Sequence, residues 1–201
     1  VIKLVKEEGE MEKNRIRPHR LVTELSQLFN LETSLDTVLA ISMYKLNQYM
    51  DSERSSIFVF DPSNKQLTSY SSLDLAKQEI RMSKSTGVAG WVFEHRMPAV
   101  INDAYDDSRF FRGVDDMTGF RTRNLICTPM IDDKGKCLGT IQSLNKKSGD
   151  FTTDDLELLD VTSRLVAVAL NKNRGYDEML NTIITCVKLE NRLSTELAIS
   201  A

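Results

Sequence analysis

Cysteine and histidine are scarce in this chain of 201 residues: there are three of the first and two of the second. Cys127, Cys137 and Cys186 include no CxxC pair. An odd, scattered set of this kind builds neither a disulfide framework nor a zinc site, and a reducing, cytoplasmic setting is expected. Cys127 and Cys137 stand among apolar neighbours and read as small core residues. His19 and His95 lie far apart, and neither has a cysteine beside it in sequence. Nucleophile–base and metal-assisted reactions need such groups brought together, so the chain reads as a non-enzyme with no metal and no cofactor. The adjacent carboxylates of Asp115 and Asp116 do not change this, because neighbouring side chains diverge instead of flanking one substrate atom.

Long apolar runs are also missing. Stretches such as Leu165 to Leu170 are far too short to span a bilayer. Half of the residues from Val1 to Glu12 are charged, unlike a secretory leader, and no membrane partner is expected. Nor is there a large excess of one charge: 26 basic residues against 29 acidic ones leave a net charge of −3. Nucleic-acid binding normally needs a clustered basic face, so that partner is not expected either. A small anionic ligand stays open, because its seat is built locally. The 41% hydrophobic and 27% charged residues suit one globular domain with extensions.

The patterning then divides the chain. Residues 1–20 are polar and charged and read as a linker or leader. Leu21, Val22, Leu25, Leu28 and Phe29 recur at helical spacing. Thr33 with Asp36 resembles a capping box for a second helix, whose stripe is Leu35, Val38, Leu39, Ser42, Leu46 and Tyr49. The period changes at Ser55–Phe60, a β-branched and aromatic strand closed by the turn Asp61-Pro62-Ser63-Asn64. Strands are expected at 67–73, 79–83 and 98–101, with a short helix from Gly87 to Glu94. A long loop with short helical pieces covers 102–122. Strands at 123–131 and 136–144 form a hairpin about Asp132-Asp133-Lys134-Gly135. A long helix follows over 153–173, with Leu156, Leu159, Ser163, Val166, Ala167 and Leu170 as its core stripe, and 176–197 continues as another. Hairpin-joined strands bracketed by helices predict an α+β class with a mainly antiparallel sheet.

Three segments carry candidate chemistry. Gly87-Val88-Ala89-Gly90 opens a helix, where unpaired N–H groups and the positive end of the dipole favour an anion, and glycines permit close approach. An ordinary glycine-bounded turn would look the same. Residues 102–122 mix aromatics (Tyr105, Phe110, Phe111, Phe120), hydroxyls (Thr118, Thr122) and carboxylates (Asp115, Asp116). That mixture suits a ring-and-sugar ligand. It also suits a surface loop held by its own ion pairs, such as Asp107 with Arg109. Lastly, Lys146 leaves the final strand and Asp155 opens the next helix, so the two could tie sheet to helix.

Asn145, Lys146, Phe151 and Asp155 resemble the NKFDE motif of cyclic-nucleotide-binding GAF domains, with Leu156 in place of the final glutamate. The run from Phe110 to Leu125 is similar to the tandem GAF domains of cyclic-nucleotide phosphodiesterases and of cyanobacterial adenylyl cyclases. The resemblance covers about residues 20–175. It implies a GAF-type, PAS-like antiparallel sheet flanked by N- and C-terminal helices, with a leader at 1–20, the domain at 21–175 and a connecting helix at 176–201. It also implies a cyclic nucleotide, cAMP or cGMP, as ligand. On that basis Ser56 faces the base, and Val88 and Ala89 offer N–H groups to the phosphate. Phe111, Val114, Asp115, Thr118 and Thr122 close over the ligand, and Gln142 stands where relatives often carry glutamate near the ribose. Asn145, Lys146, Phe151 and Asp155 support the site without touching the ligand. Ser72, Leu73 and Asp74 stand nearest to the family's base-facing aromatic and aspartate, which leaves the choice of nucleotide open. The expected role is regulation of an output domain through the flanking helices, as a homodimer. The alternative is a ligand-free dimerisation and relay module. A pigment-binding GAF domain is set aside, because neither Cys127 nor Cys137 is placed to attach a bilin.

Overall fold

The structure is a computed structural model, and it describes residues 19–30, 34–71, 80–172 and 175. Residues 1–18 of the expected leader, the positions 72–74 and the helix at 176–197 lie outside the described residues, while residues 19 and 20 already belong to the first helix.

Two helices lead. α1 (19–30) buries Leu21 and Leu25, and α2 (Leu35–Met50) buries Val38, Leu39, Ser42, Met43, Leu46 and Met50. The cap of α2 differs from the capping box expected at Thr33. Ser34 has the extended backbone of an N-cap, and its side chain accepts the Thr37 N–H at 3.4 Å. The capping residue must directly precede the first helical one, and a one-residue choice between neighbouring hydroxyls is not legible in spacing.

The strands are β1 (Ser52–Asp61), β2 (Gln66–Ser71), β3 (Arg81–Ser83), β4 (Ala99–Ile101), β5 (Leu125–Ile131) and β6 (Cys137–Lys146). They form one sheet in the order β3-β2-β1-β6-β5-β4, antiparallel at every pairing. Asp61 sets the first hairpin by accepting both the N–H and the hydroxyl of Ser63. Gly139 lets β6 pass β1, because a Cβ there would stand 1.9 Å from the Phe58 carbonyl oxygen.

Alternation along each strand sorts the side chains into two layers. Ile57, Ile126, Met130 and Ile141 pack with α1, α2 and α5 (153–172) in the larger core, joined there by Leu159, Val166 and Leu170. Their sequence neighbours face the other way. Leu125, Cys127 and Leu144 meet Val88 and Val92 of α3 (Gly87–His95), and Phe58 meets Ala89. Burial pushes the Cys127 thiol up to about 12, so it is an inert apolar group at neutral pH. The sheet is therefore sandwiched between a three-helix layer and a layer made of α3 and the 102–122 loop, which contains α4 (Gly113–Thr118).

Candidate functional site

A cleft opens on the α3 face of the sheet. Its floor is made of residues two apart on single strands: Arg54, Ser56 and Phe58 from β1, Gln142 and Leu144 from β6, and Leu125 from β5. The register sets Ser56 beside Gln142 and Arg54 beside Leu144. Gly87, Val88 and Ala89 form one wall, and Phe111, Val114, Asp115, Thr118 and Thr122 form the other. The space it encloses, open solvent included, is about 600 Å³. All nine residues expected at a ligand, from Ser56 to Gln142, come together on this cleft.

The start of α3 has the donors an anion needs. Thr86 is its N-cap and makes no side-chain cap bond. The first backbone bond runs from Gly90 N–H to Thr86 O at 3.1 Å, so the N–H groups of Gly87, Val88 and Ala89 precede the helical ladder. Gly90 serves another purpose than close approach of a ligand. A Cβ there would stand 2.7 Å from the Ser85 carbonyl carbon and 2.9 Å from the Lys84 oxygen, so the chain's own turn requires glycine.

The opposite wall is organised by Asp115. Its buried carboxylate accepts the Thr122 N–H at 2.7 Å, the Thr122 hydroxyl at 2.8 Å and the Tyr105 hydroxyl at 3.1 Å. Burial and then this carboxylate raise the Tyr105 phenol above its ordinary value. The Thr118 hydroxyl donates to Val114 O at 2.8 Å. The side-chain oxygens of Asp115 and Thr122 and the Thr118 hydroxyl proton are thus engaged within the loop. What this wall turns to the cleft is largely apolar, led by Phe111, which is 49% exposed and lies over Gly113. The expected Asp107–Arg109 pair is present at 2.6 Å, and the Arg109 guanidinium holds the Asp107 carboxyl below its ordinary value. The same guanidinium lies 4.5 Å from the centroid of the Trp91 ring, which anchors the loop to α3.

Residues 34–170 match the family model described as GAF domain. The chain belongs to the GAF domain family. Its similarity reaches a probable 3',5'-cyclic phosphodiesterase, pde-5, of Caenorhabditis elegans, at 28% identity over 181 residues, 83% of this chain and 24% of that protein. It reaches the dual 3',5'-cyclic-AMP and -GMP phosphodiesterase 11 of Drosophila melanogaster at 34% over 103 residues, 51% of this chain and 7% of that protein. The chain thus spans a quarter or less of these relatives, and an alignment of 181 residues necessarily takes in most of the GAF domain. Among solved structures, the GAF domain of a phosphoenolpyruvate-protein phosphotransferase from Coxiella burnetii superposes with a TM-score of 0.71 at 16% identity, covering 81% of this chain and 98% of that one. That likeness concerns the fold.

In this GAF domain the four motif residues lie off the cleft lining. Asn145, buried and at φ 56°, is a staple. Its amide donates to Arg121 O at 2.8 Å and Glu53 Oε2 at 3.0 Å, and its oxygen accepts the Arg123 N–H at 2.6 Å. That fixes the chain leaving the loop against β1 and β6. Asn145, and then Arg123, hold the Glu53 carboxyl below its ordinary value. Lys146 is paired with Asp155, and both side chains are largely buried. Asp155 also accepts the N–H and hydroxyl of Thr152, completing a capping box at the start of α5. Phe151 is buried beneath, its ring 5.7 Å from Lys146 Nζ. The last strand and the exit helix are therefore locked by one ionic contact.

Arg54 is the functional candidate that sequence reasoning missed. It is the one basic residue among the described cleft lining, and its only signal was its position two residues before Ser56. Among the described residues no group of His, Cys, Asp and Glu is placed to hold a metal ion, and no helix is long and apolar enough to cross a membrane.

Proposed function

We propose that this chain is a regulatory GAF domain that binds a cyclic nucleotide, cAMP or cGMP, and relays its occupancy to an output domain such as a phosphodiesterase or cyclase. The observation that carries this reading is the cleft itself, set between the uncapped start of α3 and the wall built on Asp115. The N–H groups of Val88 and Ala89 take the phosphate, where the helix dipole is positive. Ser56 faces the base, Gln142 hydrogen-bonds the ribose, and Phe111, Val114, Asp115, Thr118 and Thr122 close the lid, the two threonines and Asp115 by holding its shape.

Ligand shifts the domain only by its differential affinity for two states of the lid. The lid ends at Thr122, next to Arg123, which Asn145 clamps, and Lys146 passes the strain to Asp155 and α5. The chain is organised as a leader at 1–20, the domain at 21–175 and a connecting helix at 176–201. It acts in the cytoplasm as a homodimer joined through the flanking helices.

Isothermal titration calorimetry with cAMP and with cGMP tests the reading. Saturable binding to either, weakened by Gln142→Leu, supports it. No heat with either nucleotide at millimolar concentration, from folded protein free of carried-over ligand, overturns it. A second reading, a ligand-free dimerisation module, draws on Tyr44 of α2 and Val168 of α5, which are 58% and 65% exposed on the helical layer. It is favoured if titration is silent while Tyr44→Glu with Val168→Glu converts a dimer to a monomer in sedimentation.

A further inference from the structure

We propose that Arg54 is a ligand-contacting residue of the cleft, its guanidinium donating to an acceptor on the bound nucleotide. The inference rests on the nucleotide reading above and deepens it. Arg54 reaches the cleft floor by strand geometry: it shares the face of Ser56 and Phe58 and pairs in register with Leu144. Its Nε is buried and has no hydrogen-bond partner. The guanidinium lies instead over the Phe120 ring, 4.4 Å from the centroid. A ring face attracts the positive charge but presents no lone pair to an N–H in the guanidinium plane.

The surrounding carboxylates are already taken. Asp115, the one acidic residue among the described cleft lining, accepts from Tyr105 and twice from Thr122. Glu53, next to Arg54 in sequence, points to the other face of β1 and holds Asn145 and Arg123. Arg109 and Lys146 each have their own carboxylate, Asp107 and Asp155. Arg54 is therefore a half-buried cation with a shielded donor, aimed into a cleft with no acidic partner to offer it. The hydroxyls of Thr128 and Thr140 are also buried without a partner, but neither lines the cleft. A buried donor left unpaired at the floor of a cleft calls for an external partner. The chemistry of that partner is set by the donor: an acceptor, best on an anion, which a guanidinium binds as a fork. A cyclic nucleotide brings two such sources, its phosphate oxygens and the acceptor atoms of its purine and ribose. Phe120 closes the lid segment, so the ring holds the fork in place before ligand enters.

The test is calorimetry on the full chain with cAMP, cGMP and the two matching neutral nucleosides, for the wild type, Arg54→Met and Arg54→Lys, beside thermal unfolding of each without ligand. Arg54→Met is expected to weaken nucleotide binding at least tenfold, the loss of one charge-assisted hydrogen bond. It should leave the unfolding midpoint unchanged or higher, since an unmet donor is removed. Arg54→Lys should retain part of the affinity, with charge kept and fork lost. Nucleoside binding unaffected by Arg54→Met places the acceptor on the phosphate. Nucleoside binding reduced in the same proportion places it on the purine or ribose. Nucleotide affinity within twofold of wild type overturns the proposal. So does a loss of affinity accompanied by a midpoint fall of more than about 5 °C, which marks a packing residue. A wild-type chain that takes up neither nucleotide overturns the nucleotide reading, and this inference with it.

Discussion

Thr122 donates twice to Asp115, through its N–H at 2.7 Å and its hydroxyl at 2.8 Å, and so pins the far end of the 102–122 loop to its own short helix. Asp115→Ala leaves both donors, and the Tyr105 hydroxyl, without their acceptor. The expected cost is about 2–3 kcal/mol, read as a lower urea midpoint with unchanged slope. Asp115→Asn keeps one oxygen acceptor and should cost less. Because the same carboxylate shapes the lid, Asp115→Ala should also weaken any ligand without having touched it. Gln142 is the cleaner probe of contact.

Lys146→Met removes one partner of a largely buried ion pair and leaves Asp155 with only its Thr152 donors. A loss of about 3 kcal/mol is expected in equilibrium unfolding. In an Asp155→Asn background the same substitution should cost only about 1 kcal/mol, because the stranded charge is gone. Equal costs in the two backgrounds would show that the pair does not couple β6 to α5.

Gly90→Ala places a methyl group 2.7 Å from one backbone atom and 2.9 Å from another, and neither is the end of a flexible side chain. The turn between β3 and α3 must shift. We expect about 1–3 kcal/mol of destabilisation. The N–H groups at the start of α3 should move with it, so ligand affinity falls alongside stability. A neutral result in thermal unfolding would show that the turn yields freely.

Acid should unfold the domain through a small set of carboxylates. Lys45 holds Glu24 below its ordinary 4.5, Asn145 and Arg123 do the same for Glu53, and Arg109 holds Asp107 below 3.8. A depressed folded value means the unfolded chain takes up the proton first. The stability these groups contribute is therefore complete above those ordinary values and is lost as pH falls through the lower folded ones. The unfolding midpoint should be insensitive to these groups from neutral pH down to about 5.5, then drop below about 4.5. Glu53→Gln should flatten part of that drop, with melts recorded across the pH range as the check.

Periodicity made most of the framework legible. The stripe from Leu21 to Phe29 is α1, and the switch to alternation at Ser55 lies within β1. The ends of elements were harder. β6 runs on to Lys146, because Lys146 donates its N–H to the Asn124 side chain and pairs across to Ser52, contacts that no local pattern encodes. Ser56 and Gln142 were named from resemblance and not from spacing, since they stand 86 positions apart and meet only through strand register. Sequence could not tell that the Asp115 carboxylate is already filled, that Gly90 answers to a backbone turn, or that Arg54 lacks a partner. Each of those is a property of what surrounds a side chain, not of the side chain.

The two outermost described strands, β3 and β4, are three residues long each, and β4 directly follows Pro98, which has no N–H to donate. Such stubs give a foreign strand almost nothing to zip onto. Growth of the sheet from one molecule into the next is thereby discouraged at the rims these strands form, and the homodimer proposed above, joined through the flanking helices, would use neither of them.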